Sequence, residues 1–201
     1  MDMQKLYRSA YNPKYIMRAM DPPSEDSKEQ KVTGLALRFN EPTVLFSVGG
    51  IDYLEVIDPR ALDNCDMSDV VLTRNHNNDR LLARTKNDTL QLSVTSEGLE
   101  FTAELADTQL GEDTFKLIKR GDIDGCSFGG YVEEESYNVE THTRTILKMS
   151  SLFDISAVTF PAYESTNVEP AVRAAFGIEA AEEEVKKLEL AEAKRKLLLK
   201  I

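Results

Sequence analysis

Apolar and polar positions alternate at strand spacing through most of the chain from Lys31 to about Pro161. Residues 31–39 (KVTGLALRF) alternate apolar with small or polar side chains, and so do residues 51–57. Residues 70–74, 80–84, 89–94 and 99–105 follow at short intervals, separated by Asn-Asp and Glu-Gly turns. Leu90, Leu92 and Val94 fall on one face of their strand, and Leu99, Phe101, Ala103 and Leu105 on one face of the next. Such a run predicts an antiparallel sheet or barrel. A helix interrupts it, capped by Asp107 or Thr108, with Phe115, Leu117 and Ile118 on its apolar side and Gly121 ending it. Strands over 125–135, 144–149 and 152–160 complete the pattern, with a polar hairpin near Asn138 and a stop at Pro161. The expected fold is mainly β with inserted helices, an α+β chain built on a largely antiparallel core.

Both ends differ from this core. Residues 1–30 are polar and proline-bearing around Asp21-Pro22-Pro23, and read as a flexible N-terminal arm. The compact domain is expected over 31–168. Residues 169–201 form a charged tail. From Ile178 its Ala, Glu, Lys and Leu content is that of a helix, with Val185, Leu188, Ala191 and Leu198 near helical spacing. That stretch reads either as a solvated helix or as a segment that docks on a partner.

Composition narrows the function. Lys plus Arg number 24 against 35 Asp plus Glu, a net charge of −11. A chain this acidic is poorly suited to phosphate backbones, so no nucleic acid partner is expected. No apolar run approaches the ~20 residues that span a bilayer, and the N-terminus lacks an apolar signal core, so no membrane is expected and the host cytoplasm is the expected location. Cys65 and Cys126 are the only cysteines and His76 and His142 the only histidines, without metal-ligand spacing, so no metal is expected. Two isolated cysteines suit a reducing compartment.

Three segments carry candidate chemistry. In Gly125-Cys126-Ser127-Phe128-Gly129 a serine lies among small residues that let another backbone approach. Such a motif is also an ordinary bulge at a strand start. The nucleophile elbow of α/β hydrolases is excluded, because that fold needs alternating helices and an acid between Ser127 and a later histidine. His76, in the polar stretch 73–79 between two short strands, has the position of a general base facing a cleft, or of an exposed turn histidine. Asp154 lies inside the apolar run 152–158, where a carboxylate needs a partner unless it faces solvent. A charged His76 would meet that need.

Taken together, Asn75-His76, residues 121–129 and residues 152–162 resemble the prohead (capsid maturation) protease family of tailed phages, as do residues 34–42 and 55–62. The resemblance spans about 31–168. It implies a fold similar to that of the herpesvirus assembly proteases, a largely antiparallel β-barrel ringed by helices. It implies a serine endopeptidase with Ser127 as nucleophile and His76 as base, and Asp154 as the third member. His142 is the alternative third member, by analogy with the second histidine of the viral relatives. No cofactor is implied. The implied partners are the major capsid protein and its scaffolding segment, with cleavage of the chain itself and possible self-association, inside the immature prohead. Backbone amides near Phe128 and Gly129 are candidate oxyanion donors, with Arg74 and Arg144 as further contributors. Two other readings stay open: a catalytically inactive scaffold or capsid-binding module, and a cysteine hydrolase using Cys126.

Overall fold

The structure is a computed structural model that describes residues 5–8, 16–21 and 29–159. The described residues form two sheets and one α-helix. The first sheet contains β1 (Lys5–Arg8), β4 (Thr43–Val48), β5 (Ile51–Ile57), β6 (Val71–Arg74), β7 (Asn77–Arg84), β10 (Gly125–Asn138) and β11 (Thr143–Val158). The second runs in the order β2 (Met17–Ala19), β3 (Lys31–Arg38), β9 (Gly98–Glu104) and β8 (Leu90–Val94). Helix α1 (Gln109–Arg120) joins β9 to β10.

Local chemistry accounts for the helix. The Thr108 side chain accepts from the Gly111 amide at 3.2 Å, and Gly121 closes the end at a φ of 85°, where a side chain would be strained. Ile118 reaches the core.

The long hairpin of β10 and β11 organises the first sheet. Asn138 shapes its turn by accepting from the Glu140 and Thr141 amides. The two segments expected over 144–149 and 152–160 are one strand as far as Val158, while Phe160 lies outside the described residues. The polar Ser150–Ser151 step does not break it, because Asp66 supplies backbone partners: its amide donates to Ser150 and its carbonyl accepts from Leu152.

One expectation needs correction. The described strands form two open sheets that do not close into a barrel. The first sheet is mixed, since β11 pairs in parallel with β5 through residues 143–146 and with β6 through residues 154–157. Pairing also begins before Lys31. Met17 is buried in the core, β2 adds to β3, and β1 adds to β10. The close fit of β2 requires Gly34, where a Cβ would lie 2.3 Å from the Ile16 carbonyl oxygen. The helix expected over 178–201 lies outside the described residues.

One core of aliphatic and phenylalanine side chains is shared by both sheets. It includes Leu37, Leu72, Leu99, Phe101, Phe128 and Ile155, each almost fully buried. At about 25 cal/mol per Å² of apolar surface removed from water, such side chains dominate the folding drive and fix the strands that carry the candidate site.

Candidate active site

Alternation along β10 sends Cys126 and Phe128 into the core and Ser127 to the opposite face. Across the hairpin, Ser127 stands opposite Ser156, and Gly129 opposite Asp154. Ser127, Ser156 and Asp154 therefore share one face of neighbouring strands.

On the other side of β11 runs β6, with Thr73 beside Ser156. Strand β6 turns into β7 through Asn75 and His76, whose φ angles are 54° and 53°. Two positive φ values suit a two-residue hairpin turn, and Asn and His tolerate them better than most side chains. Placing His76 there still costs on the order of 1 kcal/mol. Two anchors to β11 hold the turn in place: the Asn75 amide donates to the Ala157 carbonyl at 3.0 Å, and the His76 amide donates to Ser156 Oγ at 2.7 Å.

From this turn the imidazole lies across β11. Its Nδ1 is 2.5 Å from Asp154 Oδ2, and its Nε2 is 2.8 Å from Ser127 Oγ. An ionised carboxylate only accepts, so the Nδ1 position carries the proton and Nε2 presents its lone pair to the Ser127 hydroxyl. Asp154 is 4% exposed, and both of its oxygens are satisfied: Thr73 Oγ1 donates to Oδ1 at 2.8 Å while the imidazole meets Oδ2. A buried carboxylate is tolerated only with such partners.

Thr73 and Ser156 had no marked role in the sequence pattern. Ser156 Oγ accepts from the His76 amide and lies 3.2 Å from the Thr73 carbonyl, to which it donates. The two hydroxyls are 3.1 Å apart and both residues are fully buried. The only sequence signal for them is a hydroxyl residue among apolar neighbours in a strand, and many strands contain one.

His142 and Arg144 lie elsewhere. His142 sits in the turn at the far end of the long hairpin, with Nδ1 3.3 Å from the Tyr137 hydroxyl and its ring centroid 5.0 Å from that of Tyr53. Arg144 is at the same end, buried, donating to Glu55 at 3.1 Å and to Glu135 at 2.9 Å. Its place is structural. Burial, reinforced by the nearby Asp124 charge, pushes the Cys126 thiol far above its usual range. Cys65 is pushed up to about 11 by burial and then by the Asp66 charge. Thiolate, the reactive form, is therefore scarce at both near neutral pH.

A hydroxyl, an imidazole and a carboxylate linked in this order are the arrangement that serine peptidases use. The chain belongs to the caudovirus prohead serine protease family, whose model matches residues 15–184. Its fold is similar to the solved structure of the capsid assembly protease of bacteriophage T4, at 12% identity and a TM-score of 0.53, covering 80% of this chain and all of that one. None of the curated proteins compared with the chain matches it.

Proposed function

We propose that this chain is the endopeptidase that cleaves the major capsid protein and its scaffolding segment inside the immature prohead, with Ser127 as nucleophile, His76 as general base and Asp154 as the orienting acid. The observation that carries the reading is the 2.8 Å contact from Ser127 Oγ to an imidazole whose other nitrogen is held by Asp154. The family to which the chain belongs, and the likeness of its fold to the capsid assembly protease of bacteriophage T4, support the substrate class.

In the proposed reaction, Nε2 takes the Ser127 proton as Oγ attacks a peptide carbonyl. The imidazolium formed is stabilised by Asp154, about 2.5 Å from Nδ1. It then protonates the leaving amine, and a water, activated by the same nitrogen, releases the acyl group from Ser127. Replacing the nucleophile or the base removes the covalent route, a loss of roughly 10⁶-fold in kcat. Asp154→Asn favours the wrong tautomer and should lower kcat by about 10⁴-fold.

Prolonged incubation with a fluorophosphonate, followed by peptide mass mapping, tests the reading. The expected result is one adduct on Ser127 in the wild-type chain and none in His76→Ala. Iodoacetamide at neutral pH should leave proteolysis unchanged, given the raised thiols of Cys65 and Cys126. An adduct that forms equally well without His76, or proteolysis lost on thiol alkylation, contradicts the reading. A chain that takes no adduct and cuts nothing within assembled shells would instead be an inactive scaffold or capsid-binding module.

A further inference from the structure

Among the described residues, strand β10 pairs with two neighbours. On one side lies β11, which carries Asp154. On the other lies the N-terminal segment of the chain itself. In β1, Lys5 stands opposite Val132, Leu6 opposite Tyr131, Tyr7 opposite Gly130 and Arg8 opposite Gly129, all antiparallel. Further along the same edge and in the same sense, Ile16 bridges Gly125, and the Met17 amide donates to the Asp124 carbonyl at 2.9 Å. The N-terminal segment is thus held on β10 on both sides of Ser127. Residues 9–15 lie outside the described residues.

Two further observations bear on this edge. A nucleophile has to meet a carbonyl from outside, yet Ser127 is only 1% exposed in the whole chain. Backbone pairing along a strand edge is also the general way an enzyme or binding domain takes an extended peptide, since it needs no particular side chains. A peptide antiparallel to β10 runs from the Val132 end toward Gly125. Its residues before the cleaved bond would lie along Gly129–Val132, where β1 now lies, and those after it near Gly125.

We propose that β1 is a resident strand on the peptide-binding edge of β10, and that a substrate peptide binds its acyl-side residues there only by displacing it. This inference rests on Ser127 being the nucleophile. The enzyme is then held in a low-activity form by its own N-terminus, and a local substrate concentration as high as that inside a shell favours displacement.

The test uses the full chain with Ser127→Ala, so that nothing is cut, and a fluorescein-labelled synthetic peptide of residues 3–10, MQKLYRSA. Successive amides of a strand point in opposite directions, so one of Leu6→Pro and Tyr7→Pro removes a hydrogen bond to β10, while the other is tolerated at an edge. If β1 occupies the edge nine-tenths of the time, vacating it tightens apparent peptide binding about tenfold. Fluorescence anisotropy should show that gain in one of the two variants and little change in the other. Equal peptide affinity in all three chains, or no binding to any, overturns the proposal. The same prolines, placed in the chain that retains Ser127, are labelled to completion with a fluorophosphonate as a separate readout. An adduct on Ser127 together with unchanged peptide binding sinks this inference alone. Failure of the adduct removes the protease reading and this inference with it.

Discussion

Asp154 has one hydrogen-bond donor on each oxygen, and this satisfaction explains how a carboxylate survives in the run from Leu152 to Val158. That run was readable in the sequence, because an acid among apolar strand residues needs a partner. The partner on the second oxygen was not readable. Thr73 looks like any strand threonine until β6 is paired with β11, and that parallel pairing joins segments some 80 residues apart. Thr73→Val keeps the shape but removes the donor to Oδ1. It should lower kcat about tenfold, equivalent to about 1.4 kcal/mol of transition-state stabilisation, with KM nearly unchanged. Thr73→Ser should restore most of the loss. A Thr73→Val chain whose loss appears in KM, or is not rescued by serine, assigns Thr73 to packing alone. Ser156→Ala leaves the His76 amide without its acceptor. It should destabilise the fold by about 1 kcal/mol or more as well as slowing turnover, as read by urea denaturation alongside kinetics.

Elements were legible where alternation was clean. The strands near 31–39, 51–57 and 99–105 and the capped helix ending at Gly121 follow from side-chain period and local chemistry. Strand β4 escaped because Thr43, Leu45 and Phe46 are all buried, so its inward residues do not alternate. Strands β1 and β2 escaped because their stability comes from β10 and β3 rather than from their own sequence. Sheet closure was not legible either, since alternation tells which face is buried and not which edges meet. The far end of the long hairpin shows a different use of burial. Arg144 and Glu55 are about 5% and 4% exposed, and the guanidinium also binds Glu135. Arg144→Met takes the cation from two carboxylates, one of them buried. It should lower stability by about 3 kcal/mol while leaving kcat near wild type in the folded fraction. Thermal unfolding and active-site titration check the two parts separately. A large loss of kcat per folded molecule would place Arg144 in the catalytic machinery.

For the whole molecule, fold, family and charge agree. An acidic chain of net charge −11 in a serine protease family is poorly suited to binding phosphate backbones, which fits the proposed protein substrate. The family was legible because five separated motifs occur in order, and its match over residues 15–184 takes in every residue of the candidate site. Latency was not legible, since it depends on the N-terminal segment lying along β10, a contact that no local pattern announces. The most direct experiment is co-expression of this chain with the major capsid protein proposed as its substrate, read by intact mass, for wild type and Ser127→Ala side by side. The expected result is a capsid protein shortened at a single peptide bond with the wild-type chain and left whole with Ser127→Ala. A capsid protein shortened equally by both would contradict it.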